Sequence, residues 1–261
     1  GLFGRRSGCS DEMLVTAFTV RAATSVKSGP LGSERDAGVA DAGTVGHAAA
    51  AAAKAQREWA AAQPTERAAV LRKAADLLGL HRPELERWIV RESGSVQSKA
   101  EIEIRQSIDH LQVAAGLLAQ PHGELLPSAF PGRASFARRV PVGVVGVISP
   151  WNFPVILSMR SVAPALALGN AVLLKPDVET PVVGGLLFAR VFEEAGLPEG
   201  LLHVLPGGAE VGQAIASDPN VSMIAFTGST ATGRAVAETA GRTLKRVLLE
   251  LGGNSPLIVL D

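Results

Sequence analysis

The sequence comprises 261 residues, of which 47% are hydrophobic, and its 25 basic residues balance 25 acidic ones. Such a chain can bury a substantial core, whereas its neutral charge excludes a global field that would recruit nucleic acid or an anionic membrane. The single cysteine, Cys9, excludes an internal disulfide framework and favours a reducing, cytoplasmic location, while the five histidines lack the spacing of metal ligands.

The first part of the chain divides into an irregular segment and a helical region. Residues 1–33 are rich in Gly, Ser and Arg without a sustained period, which predicts an irregular or disordered segment. Residues 34–131 carry apolar side chains at helical spacing. Helices are expected at about residues 48–62, from residue 65 onward, at 84–92 and at 99–118. Their apolar stripes predict a helical layer that packs on a sheet.

A short segment at residues 132–141 follows a different pattern. Small, aromatic and basic residues alternate there, as in Ser135, Phe136 and Arg138. This alternation predicts an exposed strand that pairs with another element or with another subunit. The apolar run at residues 140–159 contains three prolines and an asparagine, so it indicates a strand and a rigid turn rather than a membrane span.

Residues 142–250 alternate between strand and helix patterns at close intervals. Strands are expected at 142–148, 171–175, 201–205, 223–227 and 246–251, and helices at 155–167, 182–194, 209–216 and 230–239. This alternation predicts a doubly wound, Rossmann-type α/β domain whose helices cover both faces of a parallel sheet. A ligand should then lie at the carboxyl ends of the strands.

Two features of this region suggest chemistry at that edge. Gly228, Ser229 and Thr230 form a turn between a strand and a helix, which aims backbone N–H groups at an anion. Glu250 ends a strand directly before a glycine pair. Taken singly, such a turn is often only a hairpin or a helix cap, and a glutamate at a strand end is usually solvated.

The order of several motifs resolves this ambiguity. The sequence contains SPWNFP, LLKPDVETP, EEAGLPEGLLHVLPGG, FTGSTATGR and LELGGNSP, in that order. Over about residues 40–261 it resembles the NAD(P)-dependent aldehyde dehydrogenases. In the detailed sequence of these motifs and of the residues beside them, it is most similar to the benzaldehyde dehydrogenase branch. The resemblance implies oxidation of an aldehyde, aromatic in kind, to the carboxylic acid through a thioester, with NAD or NADP as the cofactor.

The resemblance also implies a role for individual residues. Asn152 matches the residue whose amide stabilises the oxyanion formed on the aldehyde. Glu250 matches the general base that activates water to hydrolyse the thioester. Lys175 resembles the lysine that binds the adenosine ribose or a phosphate there. In many NAD-preferring relatives a glutamate stands where this sequence has Val178, so NADP is admissible as well as NAD.

The remaining residues that the resemblance implies share contact with the dinucleotide. The nicotinamide side of the cleft would be lined by the backbone of Ser149, Pro150 and Trp151 and by Phe226. The pyrophosphate would lie on the glycine turn and the following helix, and the adenine near the loop before residue 209. The residues implied for these last two parts of the site are Gly228, Ser229, Gly233, Gly208 and Leu251.

The nucleophile is the largest departure from the family pattern. In the family the catalytic cysteine lies further along than the glutamate motif, and Cys9 cannot stand in for it because of its irregular surroundings. Residues 251–261 are therefore expected to begin a truncated catalytic domain, and the chain to be an N-terminal fragment without activity of its own. The complete protein is expected to act on a small-molecule aldehyde and to form dimers or tetramers through the strand at residues 132–141.

Two other readings remain open. The polypeptide could be a dinucleotide-binding module that catalyses no dehydrogenation. It could instead be an unrelated Rossmann-type reductase, but such an enzyme needs an arrangement such as a Tyr/Lys pair, and the chain has no tyrosine.

Overall fold

A computed structural model describes residues 39–256 together with residues 258 and 259. The predictions made for residues 1–33, including the one for Cys9, lie outside the described residues, as do residues 257, 260 and 261. Within the described part of the chain, no helix is both long and apolar enough to cross a membrane.

The predicted helical region contains four helices, namely α1 (Ala42–Ala61), α2 (Pro64–Leu80), α3 (Arg82–Ser93) and α4 (Gln97–Leu117). α1 begins earlier than expected because Asp41 caps it: the Asp41 carboxylate accepts a hydrogen bond from the Thr44 N–H at 2.7 Å. Pro64 occupies the first position of α2, where a missing N–H costs nothing. Gly94 ends α3 with φ of 64°, a conformation that glycine adopts without strain.

An exposed antiparallel ribbon follows the helices. It consists of β1 (Gly123–Leu126) and β2 (Ser135–Arg138), and Gly123 lies opposite Arg138. β2 corresponds to the strand expected within residues 132–141. Its partner β1 was not predicted, because a strand of four residues that are all exposed has no alternation to read.

Five parallel strands form the central sheet, namely β3 (Val144–Ile148), β4 (Ala171–Lys175), β5 (Leu202–Val204), β6 (Val221–Thr227) and β7 (Arg246–Glu250). Their order is β5-β4-β3-β6-β7, and every neighbouring pair is parallel. β3 and β4 are almost entirely buried, as their continuous apolar sequences predict. The structure therefore confirms the doubly wound α/β fold.

Helices connect these strands and cover both faces of the sheet. They are α5 (Pro154–Ala167), α6 (Leu187–Ala195), α7 (Ala209–Ser217) and α8 (Thr230–Gly241). α5 and α6 pack with α2 and α4 on one face, and α7 packs with α1 and α8 on the other. The helix expected at residues 182–194 differs in its first part, which is a π-helical turn (Val182–Leu186). Gly185 packs so closely on Pro176 there that an added Cβ would lie 2.7 Å from the proline Cγ.

Candidate active site

The carboxyl ends of the parallel strands bring the predicted residues to one edge of the sheet. Asn152 lies in the turn after β3, Lys175 ends β4, and Glu250 ends β7. The chain moves outward from β3 to β4 and β5 and then returns to the other side of β3, so the strand order reverses between β3 and β6. Loops part at such a reversal and leave a crevice, which is the usual ligand site of an open α/β sheet.

The turn that carries Asn152 is anchored at both ends and leaves the side chain free. Ser149 is buried, its N–H donates to the Lys175 carbonyl at 3.2 Å, and its hydroxyl lies 2.7 Å from that of Ser158. Pro154 occupies the first position of α5. Asn152 is exposed, and its amide makes no hydrogen bond to any other described residue. A neutral donor on a fixed turn suits the stabilisation of an oxyanion.

The N-terminus of α5 is capped by a side chain from the helical layer. Glu103 of α4 is fully buried, and its Oε2 accepts hydrogen bonds from the N–H groups of Val155 at 2.9 Å and Ile156 at 3.4 Å. The other carboxylate oxygen forms an ion pair with Lys99, whose ammonium lies 4.8 Å from the centre of the Phe153 ring. The carboxylate satisfies the positive end of the helix dipole. This helix start is therefore not open to a phosphate.

A second carboxylate caps the helical segment after β4 in the same way. The two oxygens of Glu92 in α3 accept hydrogen bonds from the N–H groups of Val182 at 2.8 Å and Val183 at 2.6 Å. Burial raises the pKa of Glu92, and these backbone hydrogen bonds act against that shift. The helix starts that follow β3 and β4 thus both carry a carboxylate of the protein. Sequence reasoning singled out neither Glu92 nor Glu103.

The glycine turn before α8 differs, because within the described part of the chain a serine and not a carboxylate caps it. Ser229 is the N-cap residue, and its hydroxyl oxygen accepts a hydrogen bond from the Thr232 N–H at 3.2 Å. The Gly228 N–H donates to the Glu250 carbonyl at 3.1 Å, which joins the turn to the end of β7. Gly233 is buried against Leu251, and a side chain at residue 233 would collide with that leucine. This helix start keeps backbone donors available for an anion.

Glu250 lies at the end of β7 and faces an arginine that was not predicted. The Glu250 side chain is 56% exposed, and its Oε2 lies 3.7 Å from the Nη2 of Arg160. The same nitrogen donates to the Thr227 hydroxyl at 3.0 Å. Arg160 is the only charged residue of α5, whose sequence is PVILSMRSVAPALA. A single charge in an otherwise uncharged helix could have indicated from the sequence that Arg160 belongs to the site. The exposed carboxylate can accept a proton from a water molecule in the cleft.

A small cavity of about 130 Å³ opens beside this ion pair. It is lined by side chains of β6 and β7 and by two residues from the middle of α5, and the lining residues are Arg160, Ser161, Ala225, Phe226, Thr227, Leu248 and Glu250. Burial lowers the pKa of the nearby His110, and the charge of Arg160 lowers it further. The cavity therefore combines apolar walls with a cation and a carboxylate.

Lys175, the last residue of β4, and Gly208, in the loop after β5, lie on the other side of β3. The Lys175 ammonium is buried and donates to the Pro176 carbonyl at 3.0 Å. Burial lowers the pKa of Lys175, and the charges of Asp177 and Glu210 act in the opposite direction. Gly208 precedes α7, and its N–H donates to Glu210 Oε1 at 2.9 Å.

The residues predicted for the nicotinamide side lie around the end of β3. Phe226 is buried and pairs in register with Ile148, the last residue of β3. Pro150 and Trp151 follow in the next turn, and Trp151 is 56% exposed. The structure thus brings the predicted aromatic and backbone groups to the mouth of the crevice between β3 and β6.

The sheet order, the glycine turn before α8 and the polar side chains at the carboxyl edge are the features of a doubly wound, Rossmann-type α/β domain. The model of the Aldehyde dehydrogenase family matches residues 33–261, and the chain belongs to this family.

Similar proteins have names that specify aromatic aldehydes. A vanillin dehydrogenase of Amycolatopsis sp. is 61% identical over 224 residues, which cover 86% of this chain and 46% of that protein. A benzaldehyde dehydrogenase (NAD(+)) of Pseudomonas putida is 55% identical over 223 residues, which cover 85% of this chain and 46% of that protein. The crystal structure of an NAD-dependent benzaldehyde dehydrogenase from Corynebacterium glutamicum has a TM-score of 0.81 and 48% identity, and covers 84% of this chain and 48% of that one. The chain thus spans about half the length of the relatives it matches.

Proposed function

We propose that these residues form the cofactor half of an enzyme that oxidises aromatic aldehydes with NAD or NADP. The observation that carries the proposal is the joint position of two groups at the edge of the sheet where the α8 turn also lies. They are the exposed Glu250 carboxylate and the Asn152 amide, which has no hydrogen-bond partner among the described residues. The names of the relatives support an aromatic aldehyde as the substrate. The single cysteine supports a cytoplasmic location.

The dinucleotide pyrophosphate binds at the start of α8. Glu103 and Glu92 already occupy the N–H groups at the other two helix starts near the crevice. Among the described residues Ser229 alone caps α8, so the first turn of this helix offers N–H groups and the positive end of a helix dipole to an anion. Gly228 and Gly233 keep that approach open, and Lys175 holds the adenosine end.

The side chains of the chain itself then have distinct roles in catalysis. Asn152 donates its amide to the oxygen of the aldehyde as negative charge develops there. Glu250 accepts a proton from the water that releases the acid, and Arg160 holds the carboxylate near the mouth of the cavity. When bound, the nicotinamide would supply the hydride acceptor. Phe226 and Leu248 offer the apolar surface that an aromatic ring requires.

The 261 residues alone should bind the cofactor without turning over substrate. Their single thiol is Cys9, which lies in the Gly-, Ser- and Arg-rich segment and outside the described residues. The covalent step needs a thiol at the aldehyde carbon. The exposed β1–β2 ribbon supports association into dimers or tetramers in the whole protein.

The test combines a binding titration with an activity assay on the purified 261-residue chain. NADH binding is followed by quenching of tryptophan fluorescence, to which Trp151 should contribute, and turnover is measured with benzaldehyde and either cofactor. We expect saturable binding and no turnover. Absence of binding would contradict the proposed site. Turnover that survives Cys9→Ser but is lost in Glu250→Gln would show that another nucleophile acts.

A further inference from the structure

The end of β4 carries a lysine, Lys175, whose pKa is influenced by the charge of Glu210 in the first turn of α7. Lys175 is the last residue of β4, and β4 pairs with β5, whose following loop leads into α7. In dinucleotide-binding folds an acidic residue near the end of the second strand accepts a hydrogen bond from the adenosine ribose, whereas a cation there accommodates a 2′-phosphate. The charges around Lys175 therefore bear on the choice between NAD and NADP.

The ammonium group of Lys175 is held in place with donors to spare. The residue is 8% exposed, and Nζ donates to the Pro176 carbonyl at 3.0 Å. An ammonium group carries three N–H donors, and no other hydrogen bond joins this one to the part of the chain that the structure describes. A ribose hydroxyl or a phosphate oxygen can therefore bind to Lys175.

The carboxylate of Glu210 is folded back over the adjacent loop. Its Oε1 accepts the Gly208 N–H at 2.9 Å, and a Cβ added to Gly208 would lie 2.5 Å from its Oε2. The same helical turn packs on the lysine, since a Cβ added to Gly212 would lie 3.6 Å from Lys175 Cδ. The first turn of α7 thus packs on the lysine, and the charge of Glu210 acts to raise the pKa of Lys175.

The residues that directly follow β4 are less suited than Glu210 to binding the ribose. Oδ1 of Asp177 accepts the Glu179 N–H at 3.0 Å, so this carboxylate is directed back into its own turn. Val178, which lies between them, is apolar and 58% exposed. Glu210, in contrast, is exposed and belongs to the helical turn that packs on Lys175, so we assign the contact with the ribose to this carboxylate.

We propose that Glu210 sets the cofactor preference of this chain towards NAD. Its carboxylate accepts a hydrogen bond from a hydroxyl of the adenosine ribose beside Lys175, and its negative charge repels the additional phosphate of NADP. This inference rests on the proposed function, because it presupposes that the chain binds a dinucleotide.

The experiment compares the dissociation constants of NADH and NADPH for the wild-type 261-residue chain and for Glu210→Gln. The glutamine keeps an oxygen that can accept the Gly208 N–H, so the substitution removes the charge and little else. We expect wild type to prefer NADH, and the variant to bind NADPH about tenfold more tightly relative to NADH. The difference between the two proteins should shrink in about 0.5 M salt, which screens exposed charges.

Two further variants separate this role from a general charge effect. Glu179→Gln removes an equal charge from the same region and should leave the NADH to NADPH ratio unchanged. A wild-type preference for NADPH, an unchanged ratio in Glu210→Gln, or an equal shift in Glu179→Gln or Asp177→Asn would overturn the assignment to Glu210. Failure of wild type to bind either dinucleotide would instead overturn the proposed function on which it rests.

Discussion

At the scale of single residues, the site separates groups that can move from groups that are held. The Glu250 side chain is 56% exposed, and its partner Arg160 is 3.7 Å away. Glu103 and Lys175, in contrast, are buried and hydrogen-bonded or ion-paired to fixed parts of the chain. This difference agrees with the roles that we propose. A general base must approach its water and then withdraw, so exposure suits it, whereas groups that orient a turn or a ribose act best when they are rigid.

One buried residue predicts how stability depends on pH. Burial lowers the pKa of His203, which lies in β5 with Nε2 3.1 Å from the Gly200 carbonyl. The unfolded chain therefore takes up a proton at a higher pH than the folded chain does. The stability that His203 contributes is fully present above its unfolded pKa of about 6.5 and is lost as pH falls below it towards the lower folded value.

We therefore expect the free energy of unfolding to fall between about pH 7 and pH 5, and to fall less steeply in His203→Gln. Urea denaturation at a series of pH values checks this. His47→Gln, which changes an exposed histidine of α1, is the matched control and should retain the wild-type slope. An identical slope in wild type and His203→Gln would contradict the prediction.

Motif residues could be predicted from the sequence, but their supporting partners could not. The sequence motifs placed Asn152, Lys175 and Glu250 at strand ends, and the structure brings them to one edge of the sheet. The capping roles of Glu103 and Glu92 were not predicted, because their partners lie 52 and 90 residues away along the chain. The neighbouring sequence does not reveal such a pairing. A glutamate on the apolar face of a predicted helix does indicate, however, that a buried partner is needed.

At the scale of elements, the strands of the parallel sheet were the most predictable. Their apolar runs must be covered on both faces, and this requirement leaves a strong pattern in the sequence. β1 and the π-helical turn were missed for opposite reasons. β1 is exposed, so its sequence need not alternate between polar and apolar residues. The π-helical turn follows from the close packing of Gly185 on Pro176, which local helix propensities do not predict.

The cap on α5 should contribute strongly to stability. In Glu103→Ala the N–H groups of Val155 and Ile156 lose their acceptor, and Lys99 loses its carboxylate partner. We expect a loss of about 3–5 kcal/mol in the free energy of unfolding, the usual cost of breaking a buried charged network. Urea denaturation measures this change.

Glu101→Ala, at an exposed position of the same helix, is the matched control and should change stability by no more than about 0.5 kcal/mol. Glu103→Gln should be intermediate, because it keeps an acceptor for the helix and loses the ion pair. Equal stability of Glu103→Ala and Glu101→Ala would refute the proposed contribution of the cap.

At the scale of the whole molecule, two strand edges of the described surface bear exposed apolar side chains. Leu125 and Phe136 in the ribbon are 70% and 75% exposed, and Leu248 in the edge strand β7 is 48% exposed. Unpaired strand edges that carry apolar residues tend to associate. All residues of β1 and all but Ser135 of β2 are exposed.

We expect the 261-residue chain to self-associate at concentrations of tens of micromolar, roughly the range of weak interfaces. Phe136→Lys should shift sedimentation velocity profiles towards the monomer. Val113→Lys, at a position of α4 that is 65% exposed, is the control and should leave the distribution unchanged. An unchanged distribution in Phe136→Lys would direct attention to β7 instead.

The two carboxylate caps also make the site depend on how the chain assembles. The Val155 and Val182 N–H groups are protected by side chains of α4 and α3, so their protection requires the helical layer to be docked on the sheet. In native-state hydrogen exchange these two amides therefore report on that docking as well as on their own helices. If the layer lifts as a unit, both amides exchange together, and the turn that holds Asn152 loses its anchor in the same event.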